Sequence, residues 1–249
     1  MKSFTLVLLL SLLAFSHDSF REEQKRYPRV RQAYNDKESA INAVLIKNAI
    51  NKEGLNIYLR AFKAEKKLEL WARGASDVPY KLIREYDVCQ TSGQLGPKRK
   101  QGDRQIPEGY YHIDRFNPHS AFYLSLGLNY PNRSDRILGN QNPGGDIFIH
   151  GACVTIGCLP ITDDKIKELY VFCVEARSSG QRTIPVTIFP ARMTEAKYRD
   201  LRARHSSDPD KLGLWADLKE GYDHFNETKS LPSIGFLNNG RHSVTRTTY

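Results

Sequence analysis

The sequence predicts a mainly β domain with flanking helices, an α+β fold, in a chain of 249 residues. Short runs of alternating apolar and polar residues, separated by Gly and Pro, fill the middle of the chain. Charged segments with apolar residues at three- and four-residue steps lie before and after these runs. The hydrophobic share of 40% and the charged share of 26% are typical of globular proteins and argue against disorder, collagen and coiled coil.

The first sixteen residues have the pattern of a secretory signal peptide. Lys2 supplies a positive start, and the apolar run from Phe4 to Phe15 is interrupted only by Thr5 and Ser11. The run has about twelve residues, which is too short to cross a bilayer. We therefore expect an exported chain with no integral membrane span after signal cleavage. An uncleaved anchor or a buried N-terminal helix is the alternative.

Residues 17–54 predict a helical leader packed on the main domain. Their apolar residues recur at helical spacing, and Asp36 is placed to cap a second helix after a break near Asn35. From Asn56 the pattern changes to strands. The predicted strands are Ile57–Phe62, Leu68–Ala72, Tyr80–Val88, Gly109–Ile113, Phe122–Leu126, Ile147–His150 and Ile184–Phe189.

Helices are predicted again in the last third of the chain. Thr162 is placed as the N-cap of a helix that ends near Gly180. Two amphipathic helices are expected near Thr194–Arg204 and Leu214–Phe225, within a helical C-terminal extension over residues 191–249. The last dozen residues have no clear pattern.

The net charge of +9 suits an anionic partner such as nucleic acid, a membrane surface or a cell-wall polymer. The basic residues are scattered and match no nucleic-acid motif, so we predict no nucleic-acid partner. The seven His residues lack paired ligand spacing, and no phosphate-binding glycine motif is present. We therefore predict no metal and no cofactor.

The most informative stretch is Ile147–Pro160. An apolar strand delivers His150 to its end, and a glycine-bounded loop delivers Cys158 eight residues later. A catalytic thiol must lose its proton, and a nearby imidazole can accept it, so we expect a hyper-reactive thiol. Gly157 would let N–H groups around the Cys form an oxyanion hole. By spacing alone, a core His and a buried thiol are the commoner outcome.

This stretch resembles the catalytic motif of the YkuD family of L,D-transpeptidase catalytic domains, and most closely its YafK-like branch. The resemblance covers about residues 55–190. Other segments resemble further motifs of the family and branch in the same order along the chain, namely Ser92–Lys98, Gly102–Tyr111, Asn117–Ser120 and Leu124–Asn132.

The resemblance implies a sandwich-like β domain over residues 55–190 that acts on peptidoglycan stem peptides in the periplasm or cell envelope. Cys158 matches the family's nucleophile and His150 its activating base. Gly151 matches the residue whose carbonyl orients that imidazole. Thr155 and Gly157 match the Ser/Thr and Gly that precede the nucleophile.

The chain also departs from the wider family. The loop after the His is shorter, Ile156 replaces a His, and Pro160 replaces an Arg or Asn. A thioester acyl-enzyme can be resolved by an amine, which gives transpeptidation, or by water, which gives hydrolysis. A hydrolase of cross-links or wall-linked protein therefore stays open, as does a non-catalytic wall-binding module.

The remaining Cys and His candidates have more than one interpretation. Cys153 either pairs with Cys89 in an oxidising compartment, modulates the nucleophile, or is a buried thiol. Cys173 lies on an apolar helix face, which favours core packing. His112 and His119 either reach the cleft or are structural.

Overall fold

The computed structural model describes residues 18–75 and 78–247, so the predicted signal peptide lies outside the described residues. Six helices and ten strands occur within these ranges. The helices are α1 (Asp18–Lys25), α2 (Pro28–Lys47), α3 (Arg133–Leu138), α4 (Asp163–Ser178), α5 (Glu195–Arg204) and α6 (Pro209–Thr228). The strands are β1 (Asn56–Phe62), β2 (Lys67–Arg73), β3 (Lys81–Asp87), β4 (Gly109–Asn117), β5 (Ser125–Leu128), β6 (Phe148–His150), β7 (Leu159–Pro160), β8 (Pro185–Phe189), β9 (Ser233–Phe236) and β10 (His242–Thr245).

Eight of the strands form one mixed sheet in the order β3-β2-β1-β8-β4-β5-β6-β7. The β1–β8 and β6–β7 pairs are parallel and the other pairs are antiparallel. Strands β9 and β10 form a separate antiparallel pair. The predicted α+β class is confirmed.

Strand β4 joins the two halves of the large sheet. Its first residues, Gly109 to His112, pair with β8, and its later residues pair with β5. A register shift lies between Ile113 and Arg115, within the pairing of β4 with β5. Such a bulge bends the strand locally. The half of the sheet beyond it carries both His150 and the strand that follows Cys158.

Helix α4 lies at the centre of the core, and α1 and α2 pack against it. Its residues from Leu169 to Val174 are fully buried. The buried carboxylate of Glu175 accepts hydrogen bonds from Tyr34 of α2 at 2.6 Å and from Arg21 of α1 at 2.8 Å. An ionised group is tolerated in the core only with such partners, so these contacts specify how the N-terminal helices dock.

A buried ion pair fixes the segment between β3 and β4. The Lys63 ammonium lies 2.9 Å from the Glu108 carboxylate and donates to the Gly96 and Ile106 carbonyls. The Glu108 carboxylate also accepts from the Gly96 amide and from the Trp215 indole of α6. Residues 96–108 are thereby anchored to the core on the side of the loop that carries Cys158.

Several predicted boundaries differ from the structure. The first two helices separate before Pro28, the first residue of α2, and the helix continues through Asn35 and Asp36. Proline suits that position because its missing N–H has no helical partner there. Thr162 precedes α4 as predicted, but its side chain makes no capping hydrogen bond. Within the described ranges, no helix has the length and apolar character needed to cross a membrane.

Candidate active site

Strand β6 holds His150 between two neighbours in the sheet. His150 is paired with Ser125 of β5 and with Pro160 of β7, and it is only 1% exposed. Its Nδ1 lies 2.5 Å from the carbonyl oxygen of Gly151. A carbonyl oxygen can only accept a hydrogen bond, so Nδ1 carries the proton and the neutral ring keeps its free lone pair on Nε2. The ring of Phe122 stacks on the imidazole with the centroids 4.5 Å apart.

Gly151 is a position where no larger residue fits. A Cβ there would lie 2.4 Å from a carboxylate oxygen of Asp163 and 2.7 Å from the carbonyl oxygen of Phe122. The amide of Gly151 donates to the Leu124 carbonyl. The carbonyl that faces His150 is therefore set by packing on both sides of the backbone.

The loop after Gly151 is fastened at two further points. The first residue of α4, Asp163, accepts a hydrogen bond of 2.8 Å from the Ala152 amide. Cys153 forms a disulfide with Cys89, with a Cα–Cα distance of 5.6 Å. The Cys89 amide in turn donates to the Pro160 carbonyl of β7. The Cys89–Cys153 pairing, one of the predicted alternatives, is thus the one found.

Thr155 organises the turn that presents Cys158. Its hydroxyl oxygen accepts hydrogen bonds from the Gly157 amide at 3.1 Å and the Cys158 amide at 2.7 Å. The same hydroxyl donates to the Cys158 carbonyl at 2.8 Å. In this conformation both amides point at the Thr155 hydroxyl. The oxyanion hole expected from N–H groups around Cys158 stays a prediction.

Gly157 allows this turn to lie close to the segment before β4. Its φ of +143° is in a region that L side chains rarely adopt. A Cβ at this position would lie 3.2 Å from the carbonyl oxygen of Gln105. The turn that ends in Cys158 therefore rests on the segment anchored by the Lys63–Glu108 ion pair.

The Cys158 thiol is free and partly exposed. Its Sγ accepts from the Phe148 amide at 3.4 Å and donates to the Asp146 carbonyl at 3.6 Å. Burial raises the thiol pKa, the Phe148 N–H lowers it, the Asp146 charge raises it and the Lys98 charge lowers it, with a net rise. A raised thiol pKa favours the protonated form in the resting protein. The expected hyper-reactivity of Cys158 stays a prediction.

The pKa of His150 is lowered. Burial lowers this pKa by more than the hydrogen bond to the Gly151 carbonyl raises it. At neutral pH the site thus holds a neutral imidazole and a neutral thiol, and not a preformed ion pair. A base in this state can accept the thiol proton during attack, which is general-base chemistry.

The register of β6 and β7 sets the relation of the two groups. Ile149 pairs with Leu159 and His150 pairs with Pro160, so Cys158 lies beside Phe148. Phe148 and His150 are two residues apart on one strand and share a face. Cys158, the residue before β7, is therefore close to the strand that ends in His150. Among the described residues, the thiol is hydrogen-bonded to backbone groups and not to the imidazole.

The other candidate residues lie outside this cluster. Cys173 of α4 is fully buried and packs in the core, as predicted. His112 lines a different cavity, of about 350 Å³, beside Pro185 of β8. His119 packs edge-on against Tyr27, with the ring centroids 5.0 Å apart. These His residues have structural neighbours and no contact with the thiol.

Two contacts of the site had no signal in the sequence analysis. Asp163 was given no role in the site, yet its carboxylate accepts from the Ala152 amide of the loop. Phe122 was assigned to a strand, yet it lies before β5 and stacks on His150. A polar residue in the first turn of a helix that follows a functional loop is a signal that could have identified Asp163.

Comparisons with known proteins identify the family of this chain. Residues 56–188 match the family model described as YkuD, the L,D-transpeptidase catalytic domain. The chain is 37% identical over 195 residues to the Escherichia coli (strain K12) protein named "Putative L,D-transpeptidase YafK", covering 78% of this chain and 75% of that protein. The family expected from the motifs is confirmed.

Solved structures were also compared. The helical cell shape determining protein Pgp2 from Campylobacter jejuni aligns with a TM-score of 0.45 and 17% identity, covering 75% of this chain and 74% of that one. Bd1075 from Bdellovibrio bacteriovorus aligns with a TM-score of 0.39 and 19% identity, over 77% and 79% of the two chains. The family-model match and the sequence identity together show that this chain belongs to the YkuD family of L,D-transpeptidase catalytic domains.

Proposed function

We propose that this protein is a cysteine acyltransferase that acts on peptidoglycan stem peptides through a thioester acyl-enzyme. The family membership supports the substrate class and the reaction type. The proposed nucleophile is the Cys158 thiol and the proposed general base is His150. Gly151 holds the base in position, and Thr155 with Gly157 shapes the turn that presents the thiol.

The observation that carries this proposal is the hydrogen bond between His150 Nδ1 and the Gly151 carbonyl. It leaves Nε2 as the proton acceptor, and the strand that ends in His150 also supplies the Phe148 amide that donates to Cys158 Sγ. The lowered imidazole pKa keeps that lone pair available at neutral pH. A histidine with its proton on Nε2 would be unable to serve as the base at this position.

The proposed reaction conserves atoms in two steps. In the first step the sulfur bonds to the carbonyl carbon of the scissile amide, and the C–N bond breaks. The thiol proton passes to His150 Nε2 and then to the departing amine. In the second step an acceptor amine bonds to the same carbon and the C–S bond breaks. The proton lost by that amine returns through His150 to the sulfur. The Phe148 amide, 3.4 Å from Sγ, would stabilise the thiolate during this exchange.

An exported location forms part of the proposal. The disulfide between Cys89 and Cys153 fits an oxidising compartment, where such bonds persist. The net charge of +9 suits an anionic polymer such as the cell wall. We propose that the N-terminal signal directs the chain to the periplasm or cell envelope.

Hydrolysis is the second candidate function, because the partly exposed thiol leaves room for water to resolve a thioester. A hydrolase would release wall-linked protein or open cross-links. The test incubates the enzyme with purified peptidoglycan, with and without an added D-amino acid, and analyses the soluble peptides by mass spectrometry. Transfer predicts incorporation of the amine, and hydrolysis predicts free acid in both samples.

Two variants define the outcomes of this test. Cys158→Ala should remove both products, and a surface variant such as Arg204→Gln should leave them unchanged. A Cys158→Ala protein that retains full turnover would refute the proposed nucleophile. Absence of turnover in the wild type, combined with binding to the polymer, would favour the wall-binding module.

A further inference from the structure

An arginine from β4 reaches across the sheet toward the thiol. Arg115 pairs with Gly127 of β5, and Gly127 pairs with Phe148 of β6. Residues directly opposite each other in a sheet point to the same face. Asp146 connects the two groups, because its carboxylate accepts from Arg115 Nη1 at 3.0 Å and its carbonyl oxygen accepts from Cys158 Sγ at 3.6 Å.

Gly127 leaves the path between these groups open. A Cβ on Gly127 would lie 2.8 Å from Arg115 Nε and 3.0 Å from Arg115 Cβ. The arginine side chain therefore lies over the bare backbone of β5. Its guanidinium carbon is 4.9 Å from the ring centroid of Phe148. Any other residue at position 127 would displace the arginine from this route.

The guanidinium still has donors to offer. Its Nε donates to Asp114 at 3.1 Å and its Nη1 donates to Asp146 at 3.0 Å. Nη2 has no hydrogen-bond partner in the part of the chain that the structure describes. The Arg115 side chain is 45% exposed and that of Asp146 is 81% exposed. An ion pair this exposed is weak, so an incoming anion can replace the Asp146 carboxylate.

We infer that Arg115 binds a free carboxylate of the peptide substrate near the scissile amide. The inference rests on the proposed function and adds a substrate-binding residue to it. Planar guanidinium groups bind carboxylates in a bidentate manner. The guanidinium and the thiol both contact Asp146, so a carboxylate held by Arg115 would lie near a carbonyl attacked by Cys158.

The other nearby cation is already occupied. Lys98, whose charge lowers the Cys158 pKa, is buried and donates to the Asp103 carboxylate at 2.5 Å and to the Lys100 carbonyl at 2.9 Å. Its ammonium group has little freedom to meet a ligand. Arg115 is exposed and only partly satisfied, so it is the better candidate for recognising a substrate anion.

The test measures binding and turnover separately. Peptide affinity is measured by calorimetry in a Cys158→Ala background, so that no chemistry follows binding. The probes are a synthetic stem peptide in which diaminopimelate precedes a C-terminal D-residue, the same peptide amidated at its C-terminus, and the same peptide amidated on the diaminopimelate carboxylate. The two amides identify which carboxylate is bound.

Arg115→Gln should raise the Kd of the free peptide about 10- to 100-fold, because charge-assisted hydrogen bonds are lost. It should not change the Kd of the amide that lacks the recognised carboxylate. Arg115→Lys should recover only part of the affinity, since an ammonium lacks the fork geometry. Arg204→Gln is the matched control, because that exposed arginine of α5 also forms a carboxylate ion pair.

Equal weakening of all three peptides by Arg115→Gln, or no weakening, would overturn the inference. Failure of the proposed function would give a different result: wild-type protein would bind these peptides but convert none of them. The alkylation rate of Cys158 in the Arg115→Gln protein, measured against pH, separates recognition from an electrostatic effect through Asp146. Recognition predicts a selective change in Kd with little change in the thiol pKa.

Discussion

Replacing Thr155 by Val tests whether one hydroxyl organises the nucleophile turn. Valine keeps nearly the same shape but removes the oxygen that accepts from the Gly157 and Cys158 amides and donates to the Cys158 carbonyl. Thr155→Ser keeps the hydroxyl and serves as the matched control. The comparison therefore separates hydrogen bonding from the volume of the side chain.

The magnitude follows from the three hydrogen bonds. Each is worth roughly 0.5–1.5 kcal/mol net. Because Thr155 is half-buried, water can replace some of the lost hydrogen bonds. We therefore expect the free energy of unfolding to fall by about 1–2 kcal/mol. Turnover should fall more, by about 10- to 100-fold, because small displacements of a reacting group are costly.

Urea unfolding measures the stability change, and release of peptide product measures turnover. Thr155→Ser should stay close to wild type in both assays. A Val variant with wild-type stability and wild-type turnover would refute the role of the hydroxyl. A Ser variant as impaired as the Val variant would show that the methyl group, and not the oxygen, is what matters.

Three further predictions concern the rest of the site. Gly151→Ala should place a Cβ 2.4 Å from the carboxylate at the start of α4, so we expect at least a tenfold loss of turnover in a folded protein, checked by kinetics and circular dichroism. Turnover should fall as the pH drops through the His150 pKa, which lies below 6.5, because protonation removes the base. Iodoacetamide labelling of Cys158 should rise as the pH increases through the thiol pKa, which lies above 9.0. The pH profiles of the two rates check these expectations. Replacing both Cys89 and Cys153 by Ser opens a link between residues 64 positions apart and should lower the free energy of unfolding by about 2–4 kcal/mol, measured by urea unfolding against the oxidised wild type.

The regular parts of the fold were predictable because their apolar residues follow local patterns. Strand β1 is buried at six of its seven positions and begins one residue before the predicted strand, and β2 extends the predicted strand by one residue at each end. The residues predicted to form the apolar face of α4 are all fully buried in the structure. In these segments local pattern and tertiary packing agree, so the sequence alone is informative.

Elements that depend on a partner were not predictable. Strands β9 and β10 were not predicted: β9 lies in the extension over residues 191–249 that was expected to be helical, and β10 lies in the last dozen residues, which showed no clear pattern. Each strand is short and is defined by pairing with the other. Helix α3 was also missed, although Asn132 and Asp135 form a reciprocal capping box at its start. That motif is visible in the sequence, but a six-residue helix has too few apolar positions to show a period.

The site was predictable in composition but not in orientation. The motif placed His150 and Cys158 correctly relative to the strand and the turn. The direction of the Gly157 and Cys158 amides depends on a local side-chain acceptor that competes for them, the hydroxyl of Thr155. The approach of Arg115 depends on the register across three strands, which no local pattern contains.

The most direct test of the central claim is mass spectrometry of the enzyme trapped during turnover. Wild-type protein is mixed with the stem peptide, quenched in acid within the first turnovers, and analysed intact and after proteolysis. We predict an added mass equal to the donor acyl group, located on Cys158 and removed by hydroxylamine as a thioester would be. The adduct should be absent from Cys158→Ala. Turnover with no adduct on Cys158, or turnover retained by Cys158→Ala, would contradict the thioester mechanism.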